Sequence, residues 1–156
     1  MASRQNNTKQ QYLREISERN KILHDTANNI TFNFKFFQSG DYSGQSFEEW
    51  EREQILADLN NKLKDYSGKS RLELQEDGTL EIYTQYPNGS KFREPAILKA
   101  IAIDIEWARL RVTGRRRLIG FFHKHKKYDI ERTKNEVFYV VFLDKNHEFA
   151  PSRKNR

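Results

Sequence analysis

The sequence predicts a single α+β domain in which early helices pack on a twisted antiparallel sheet. With 156 residues the chain is long enough for one domain and short for two. Helical periodicity is concentrated in the first half, and strand-like alternation in the second. The mean hydropathy of -0.96 limits the size of the core. The 11 Phe, 7 Tyr and 2 Trp nevertheless offer much area to bury, which argues against a disordered chain.

The N-terminal region predicts a helix followed by a strand. Residues 1–8 are polar and are expected to be disordered, so the domain is taken as residues 9–156. Apolar residues at helical spacing predict a helix over Lys9–Asn29. Strict alternation then predicts a strand over Ile30–Phe37, with Phe32, Phe34 and Phe36 on one side.

The next segment predicts the best-defined helix. Ser46 and Glu49 form a capping box, which can satisfy the free amides of a first helical turn. An apolar stripe extends this helix over Phe47–Tyr66, and Gly68 is placed to end it in a left-handed conformation.

The middle of the chain predicts a β-hairpin. Its two strands are Arg71–Leu74 and Thr79–Tyr86, and Glu76-Asp77-Gly78 lies between them as the turn. A second turn is predicted at residues 87–90, which read Pro-Asn-Gly-Ser.

The last third predicts the remaining strands of the sheet. Alternation from Ile101 to Val112 indicates one strand, and Thr113-Gly114 indicates a tight turn into a strand over Arg116–Phe122. His123–Asn135 is a charged hairpin tip, and Val137–Leu143 is the last strand.

Composition excludes several classes of protein. The absence of cysteine excludes disulfides, thiolate chemistry and zinc held by cysteine. No apolar run approaches the roughly 18 residues of a membrane span, and no signal peptide is visible, so we expect a cytoplasmic protein with no membrane partner. Glycine-rich phosphate loops and metalloprotease motifs are absent, and lysines surround His123 and His125. We therefore predict no cofactor and no metal.

Positive charge is concentrated in the C-terminal third. Residues 107–156 hold 14 Lys and Arg against 5 Asp and Glu, whereas the whole chain has a net charge of +6. This asymmetry favours a polyanionic partner, most commonly nucleic acid. A basic face that only aids solubility and an acidic protein partner are the alternatives.

The arginines on the predicted hairpin are the first candidates for phosphate contacts. Arg109 and Arg111 share one strand side with Trp107, and Arg117 joins them if the register allows. Guanidinium groups can hold phosphates bidentately, and a base can stack on Tyr139 of the next strand. The other predicted nucleic-acid contacts are Arg115, Arg116, Lys124, Lys126 and Lys127. Arg115 and Arg116 have a plain alternative, which is that they keep a hairpin turn soluble.

The hairpin resembles that of the RelE/ParE superfamily of bacterial toxins. The likeness rests on Arg109–Val112, on Arg117–Ile119 and on the aromatic last strand, and it extends over Trp107–Pro151. The tail with Leu143-Asp144 and Asn146-His147 is also similar to a group of small bacterial and phage proteins of unassigned function.

The resemblance implies a RelE-like fold and a metal-independent endoribonuclease that acts on mRNA, free or ribosome-bound, and is blocked by an antitoxin. Such enzymes activate the RNA 2′-OH and leave a 2′,3′-cyclic phosphate. The resemblance assigns phosphate binding to Arg117 and the C-terminal basic position to Arg153 and Lys154. Tyr139 and His147 are candidates for stacking and proton transfer, since a histidine titrates near neutral pH.

The sequence departs from the toxin pattern at three points. The N-terminal helix and the Phe-rich strand after it make the chain longer than the usual toxin. Gly120 stands where an aromatic residue often follows the arginine strand, and the tail ends in Ser-Arg-Lys-Asn-Arg without a terminal Tyr. An alternative is therefore a non-enzymatic phage or mobile-element protein that binds nucleic acid or inhibits a host nucleic-acid machine. A third possibility is an interaction partner that assembles through its N-terminal helix.

Overall fold

The structure, a computed structural model, describes residues 2–124 and 136–151. The α-helices of this part are α1 (Ala2–Ala27), α2 (Phe47–Arg52), α3 (Leu56–Tyr66), α4 (Arg71–Glu76) and α5 (Ala96–Lys99), and a 3-10 helix covers Ala102–Asp104. The strands are β1 (Thr31–Asn33), β2 (Leu80–Ile82), β3 (Ile105–Arg111), β4 (Arg117–His123) and β5 (Val137–Asp144). The α+β class predicted from the sequence is confirmed.

The described strands form one open, mixed sheet in the order β1-β5-β4-β3-β2. Strands β2 to β5 pair antiparallel, as predicted. Strand β1, however, pairs parallel to β5, with Thr31 opposite Val137. The prediction of a purely antiparallel sheet was therefore wrong, because a strand from early in the chain completes the edge beside β5.

Apolar side chains cover both faces of the sheet. On the helical face, Trp50, Leu59 and Leu74 from α2, α3 and α4 pack against residues such as Leu110 and Leu118. On the outer face, Leu98 of α5 and the loop residues Phe92 and Phe149 cover Trp107, Phe121 and Phe142, among others. The outer-face core is rich in ring contacts, such as the Trp107–Phe142 stack with centroids 6.2 Å apart.

The N-terminal helix forms, but the strand after it is shorter than predicted. Helix α1 begins at Ala2, so it includes most of the segment expected to be disordered. The predicted strand over Ile30–Phe37 is reduced to Thr31–Asn33, since Phe37 N–H donates to the carbonyl of Phe34 in a turn. Phe32 packs on the helical face and Phe36 on the outer face, so the chain does not keep these phenylalanines on one side.

The capping box is confirmed, but the long helix that it begins is divided in two. Glu49 N–H donates to Ser46 Oγ (3.2 Å), and Ser46 N–H donates back to the Glu49 carboxylate (3.4 Å). The helix predicted over Phe47–Tyr66 breaks at Gln54, whose φ of 60° is incompatible with a right-handed helix. Gly68 is also not left-handed: among the described glycines, positive φ occurs at Gly40, Gly78 and Gly114.

The hairpin predicted over residues 71–86 was wrong in its first strand. Arg71–Leu74 lies in helix α4, which begins because Ser70 Oγ accepts a hydrogen bond from Glu73 N–H (3.2 Å). Gly78, with a φ of 79°, follows α4 and leads into β2, which pairs with β3. The turn predicted at residues 87–90 is confirmed, since Ser90 N–H donates to the carbonyl of Pro87 (3.2 Å).

The strands of the last third are close to the prediction. The strand expected from Ile101 begins only at Ile105, because residues 102–104 form the 3-10 helix and Ile103 is 81% exposed. The turn at Thr113-Gly114 and the last strand are confirmed, and β5 extends to Asp144. The predicted hairpin tip falls largely on residues 125–135, outside the described residues. Helices long and apolar enough to cross a membrane were not found in the described part of the chain.

Candidate nucleic-acid interface

Three arginines lie together where the β3–β4 hairpin ends. Arg111 of β3 is the direct cross-strand partner of Arg117 of β4, and Arg109 precedes Arg111 by two residues. Their strand neighbours Leu110 and Leu118 belong to the helical-face core, so alternation directs the arginines to the outer face. With His147 these residues form what we call the arginine cluster: Arg109, Arg111, Arg117 and His147.

The cationic charges of the cluster act on one another. The pKa of Arg117 is lowered, first by partial burial and then by the charges of Arg109 and Arg111. The Arg117 guanidinium is held over the hairpin turn, where it donates to the carbonyls of Gly114 (2.6 Å) and Arg116 (2.9 Å). The Asp144 carboxylate opposes this crowding of like charges at Arg117 but acts less strongly than the two arginines, so this end of the sheet favours a further phosphate or carboxylate ligand.

His147 reaches the cluster from the turn after β5. Its Nε2 lies 2.5 Å from Nη1 of Arg109. A guanidinium has no acceptor atom, so the arginine donates and Nε2 accepts, which requires a neutral imidazole. In agreement, the pKa of His147 is lowered from its ordinary value, first by desolvation and then by the charge of Arg109. A neutral imidazole can act as a base near neutral pH, but only once the Arg109 contact to its Nε2 is released.

Asp144 fixes the turn that carries His147. Its carboxylate is almost fully buried and accepts hydrogen bonds from the backbone N–H groups of Glu148 and Phe149, both at 2.9 Å. Burial raises the pKa of this carboxyl group, and the two hydrogen bonds partly oppose the rise. His147 itself has a φ of 58°, so the backbone there is left-handed. The carboxylate of Asp144 therefore holds an otherwise unfavourable turn in place.

Two residues that sequence reasoning missed also adjoin the cluster. Glu81 of β2 faces Arg109 across the strands and forms a salt bridge with it. The Tyr83 hydroxyl is buried and has no hydrogen-bond partner among the described residues, and burial raises its pKa to about 12. Neither residue was detectable in the sequence, because the wrong hairpin pairing hid the fact that β2 lies beside β3. Glu81 neutralises Arg109, so Arg111 and Arg117 are the cations left for a ligand.

The remaining predicted contacts lie apart from the cluster. Arg115 is exposed in the turn, and Arg116 donates to Thr113 Oγ1 (3.2 Å) from the opposite side of the strand to Arg117. Lys124 is exposed at the far end of β4. Lys126, Lys127, Arg153 and Lys154 lie outside the described residues.

Tyr139 lies at the other end of the outer face. It is opposite Phe121 in the β4–β5 pairing, whereas Arg117 is opposite Asp144. Four residues of strand therefore separate Phe121 from Arg117, a distance of roughly 13 Å. Tyr139 stacks on Phe121 with ring centroids 4.9 Å apart and meets His123 edge-on at 5.2 Å. The structure thus assembles Arg109, Arg111, Arg117 and His147 but not Tyr139.

Within the described residues, no group of three or more His, Asp and Glu side chains is arranged to hold a metal ion. Comparison with family models, with curated proteins and with solved structures gives no match. The function proposed for this chain therefore rests on the chemistry of the site.

Proposed function

We propose that this protein is a RelE-like, metal-independent endoribonuclease that binds RNA through its arginine cluster. The observation that carries the proposal is the position of three guanidinium groups on one sheet face, with a neutral imidazole in contact with one of them. Arginine is the side chain best suited to bidentate phosphate contacts. We expect such an enzyme to be inhibited by an antitoxin protein that binds over the arginine cluster.

The reaction needs a base, cations and a proton for the leaving oxygen. His147 Nε2 takes the proton of the RNA 2′-OH, and the 2′ oxygen then attacks the adjacent phosphorus. Arg111 and Arg117 stabilise the charge that develops on the phosphorane oxygens. The bond from phosphorus to the 5′ oxygen breaks, this oxygen takes a proton from solvent water, and a 2′,3′-cyclic phosphate remains.

RNA has to displace one existing contact before His147 can act. Arg109 currently donates to His147 Nε2 and pairs with Glu81. A phosphate is a stronger acceptor than a neutral imidazole, so a bound phosphodiester draws Arg109 away and releases the lone pair of Nε2. In this view the substrate itself frees the base.

A second candidate function is RNA binding without cleavage, by a phage or mobile-element protein that inhibits a host nucleic-acid machine. The specific observation in its favour is the same Arg109 contact, because an imidazole whose Nε2 is occupied is no base. Tyr139 also lies too far from Arg117 to share one phosphodiester with it.

The direct test is incubation of the purified protein with end-labelled RNA, with and without ribosomes, in the presence of EDTA. We expect cleavage that leaves 2′,3′-cyclic phosphate ends and that Arg117→Ala slows on the order of 100-fold, the usual cost of one transition-state donor. Arg52→Ala is the matched control, since Arg52 is exposed on α2, which packs on the helical face and not on the face of the cluster, and it should keep the full rate.

The outcomes separate the candidates. Intact RNA that is still bound, with an affinity that falls as salt rises, selects the binding protein. If the protein neither cleaves nor binds RNA, both candidate functions are overturned. Expression in bacteria adds a second measurement: the endoribonuclease arrests growth, and Arg117→Ala relieves the arrest.

A further inference from the structure

An aromatic cleft of about 370 Å³ opens at the end of the outer face that lies away from the arginine cluster. Its volume is within the range of sites that hold small organic groups. The residues that line it come from β1 and the segment after it, from β4 and β5, and from the loop that follows α5. These cleft residues are Asn33, Lys35, Phe36, Ile101, Phe121, His123 and Tyr139.

The walls of the aromatic cleft are suited to a planar ring. Phe121 is fully buried and supports the partly exposed Tyr139, with the two rings only 11° from parallel. Phe36 meets Tyr139 edge-on at 5.7 Å. A tyrosine held in this way by a buried ring loses little side-chain entropy when another ring stacks on it.

The rim of the aromatic cleft favours negative charge. Lys35 and His123 are both exposed there, and the Lys35 Nζ lies 5.6 Å from the Phe36 centroid. Asn33 Oδ1 accepts a hydrogen bond from Lys35 N–H (2.8 Å), which leaves its amide NH₂ free to donate to a ligand. Of the described residues that line this cleft, none is acidic.

A second cleft on the same face provides a contrast. It is also lined by aromatic residues, among them Tyr86 and Trp107, and its volume is about 410 Å³. Its lining includes Glu94 as well as Lys99, however, so a carboxylate there repels a phosphate. Of these two clefts among the described residues, the aromatic cleft alone combines planar walls with a rim that carries a cation and no carboxylate.

We infer that the aromatic cleft stacks one unpaired base of the same RNA strand whose backbone the arginine cluster holds. The inference rests on the proposed function and names its substrate as single-stranded RNA. The Arg117 and Phe121 positions share one side of β4 and are roughly 13 Å apart, which a few nucleotides can span. A base inside a duplex already has neighbours on both of its faces, so only an unpaired base can enter.

The experiment measures binding separately from cleavage. The probe is a short, unstructured RNA with 2′-O-methyl groups, which cannot be cleaved, and with a fluorescent adenine analogue whose emission falls when it stacks. Tyr139→Ala should weaken binding of this RNA about 5- to 150-fold, the usual effect of one lost base stack. Binding of the same sequence as a duplex should change less than about twofold, and Tyr139→Phe should keep the wild-type affinity.

Two further variants make the result interpretable. Tyr42→Ala removes an exposed tyrosine outside the cleft and should bind like the wild type. Lys35→Gln changes an exposed side chain that the core does not need, so it tests the cleft even if Tyr139→Ala fails to fold. Its expected effect is a decrease of about one in the slope of log affinity against log salt.

Each result either supports or overturns the inference. Loss of single-strand affinity and of emission quenching in Tyr139→Ala, with duplex binding kept, supports it. Unchanged single-strand affinity in Tyr139→Ala, together with weakened binding in Arg117→Ala, overturns the inference and leaves the proposed function standing. If Tyr139→Ala weakens RNA binding and Arg117→Ala does not, the proposed function is overturned instead. If the wild-type protein does not bind this RNA, the inference and the proposed function are both overturned.

Discussion

The two faces of the sheet are both buried, but they are covered in different ways. On the helical face, α2, α3 and α4 cover residues such as Leu110 and Leu118. On the outer face, the four-residue helix α5 and loop residues such as Phe149 provide the cover, and Arg111 and His123 at the strand ends stay exposed. The arginine cluster and the aromatic cleft lie at the two ends that this short cover leaves open.

This comparison separates the part of the molecule that supplies stability from the part that meets a ligand. Amphipathic helices bury most of a sheet face, and a charged strand residue there, Glu106, is paired with Arg71 of α4. A short cover leaves strand ends open, so alternating positions such as Arg109 and Arg117 stay accessible to solvent. Substitutions on the helical face should therefore change stability, and substitutions on the outer face should change RNA binding or cleavage.

The largest effect is expected for Trp50→Ala on the helical face. Trp50 is fully buried, and its Nε1–H donates to Gln45 Oε1 (3.3 Å). Its loss should lower the free energy of unfolding by about 3–5 kcal/mol, measured by chemical denaturation. The control is Leu72→Ala, since Leu72 is 64% exposed on α4, with an expected change within about 0.5 kcal/mol. RNA affinity per folded molecule should not change; a decrease would show that the two faces are coupled.

A smaller effect is expected for His147→Asn on the outer face. Because the pKa of His147 is lowered, its imidazole is neutral at pH 7, and the cleavage rate should fall only below pH values of about 6.5. His147→Asn should slow cleavage about 100-fold and abolish this acid limb, as measured in a pH–rate profile. Asparagine tolerates the positive φ at this position, so the turn should be kept.

Stability provides an independent check on His147. The folded protein binds a proton at His147 less readily than the unfolded chain does, so its contribution to the free energy of unfolding decreases as pH falls below about 6.5. His147→Asn should remove that part of the pH dependence. A wild-type rate that stays constant at low pH would contradict the role of His147 as base.

The smallest effect is expected for Glu81→Gln. Removal of the carboxylate frees Arg109 for phosphate, so RNA affinity should rise about two- to fivefold, the equivalent of one exposed ion pair. Fluorescence anisotropy at fixed salt measures this change. The matched control is Glu53→Gln, which breaks the ion pair with Lys145 and should leave RNA affinity unchanged. Weaker binding by Glu81→Gln would mean that the Glu81–Arg109 pair helps to form the site.

Local signals in the sequence predicted much of the fold. The Ser46–Glu49 capping box, the Thr113-Gly114 turn and the last strand all follow from neighbouring residues, and they form as predicted. The secondary-structure predictions are wrong where two local signals in the sequence compete. Arg71–Leu74 alternates like a strand, but the Ser70 cap makes it helical, and its Arg71 then pairs with Glu106 of β3 (2.9 Å).

The candidate site was predictable only in part, for a similar reason. A hairpin with a two-residue turn signal fixes its own register, which brings Arg111 opposite Arg117. The distance from Tyr139 to the arginines depends on how β4 pairs with β5, and the irregularity at Ile119/Gly120 shifts that pairing. Nothing local indicates that β2 brings Glu81 beside Arg109.

The parallel pairing of β1 with β5 has a consequence for synthesis of the protein. Thr31 and Val137 are neighbours in the sheet although on the order of 100 residues separate them. On a translating ribosome, β1 emerges first and stays unpaired with β5 until β5 itself has been synthesised. The edge of the sheet beside β5 therefore forms only after the β3–β4 hairpin, which carries the three arginines, has been synthesised.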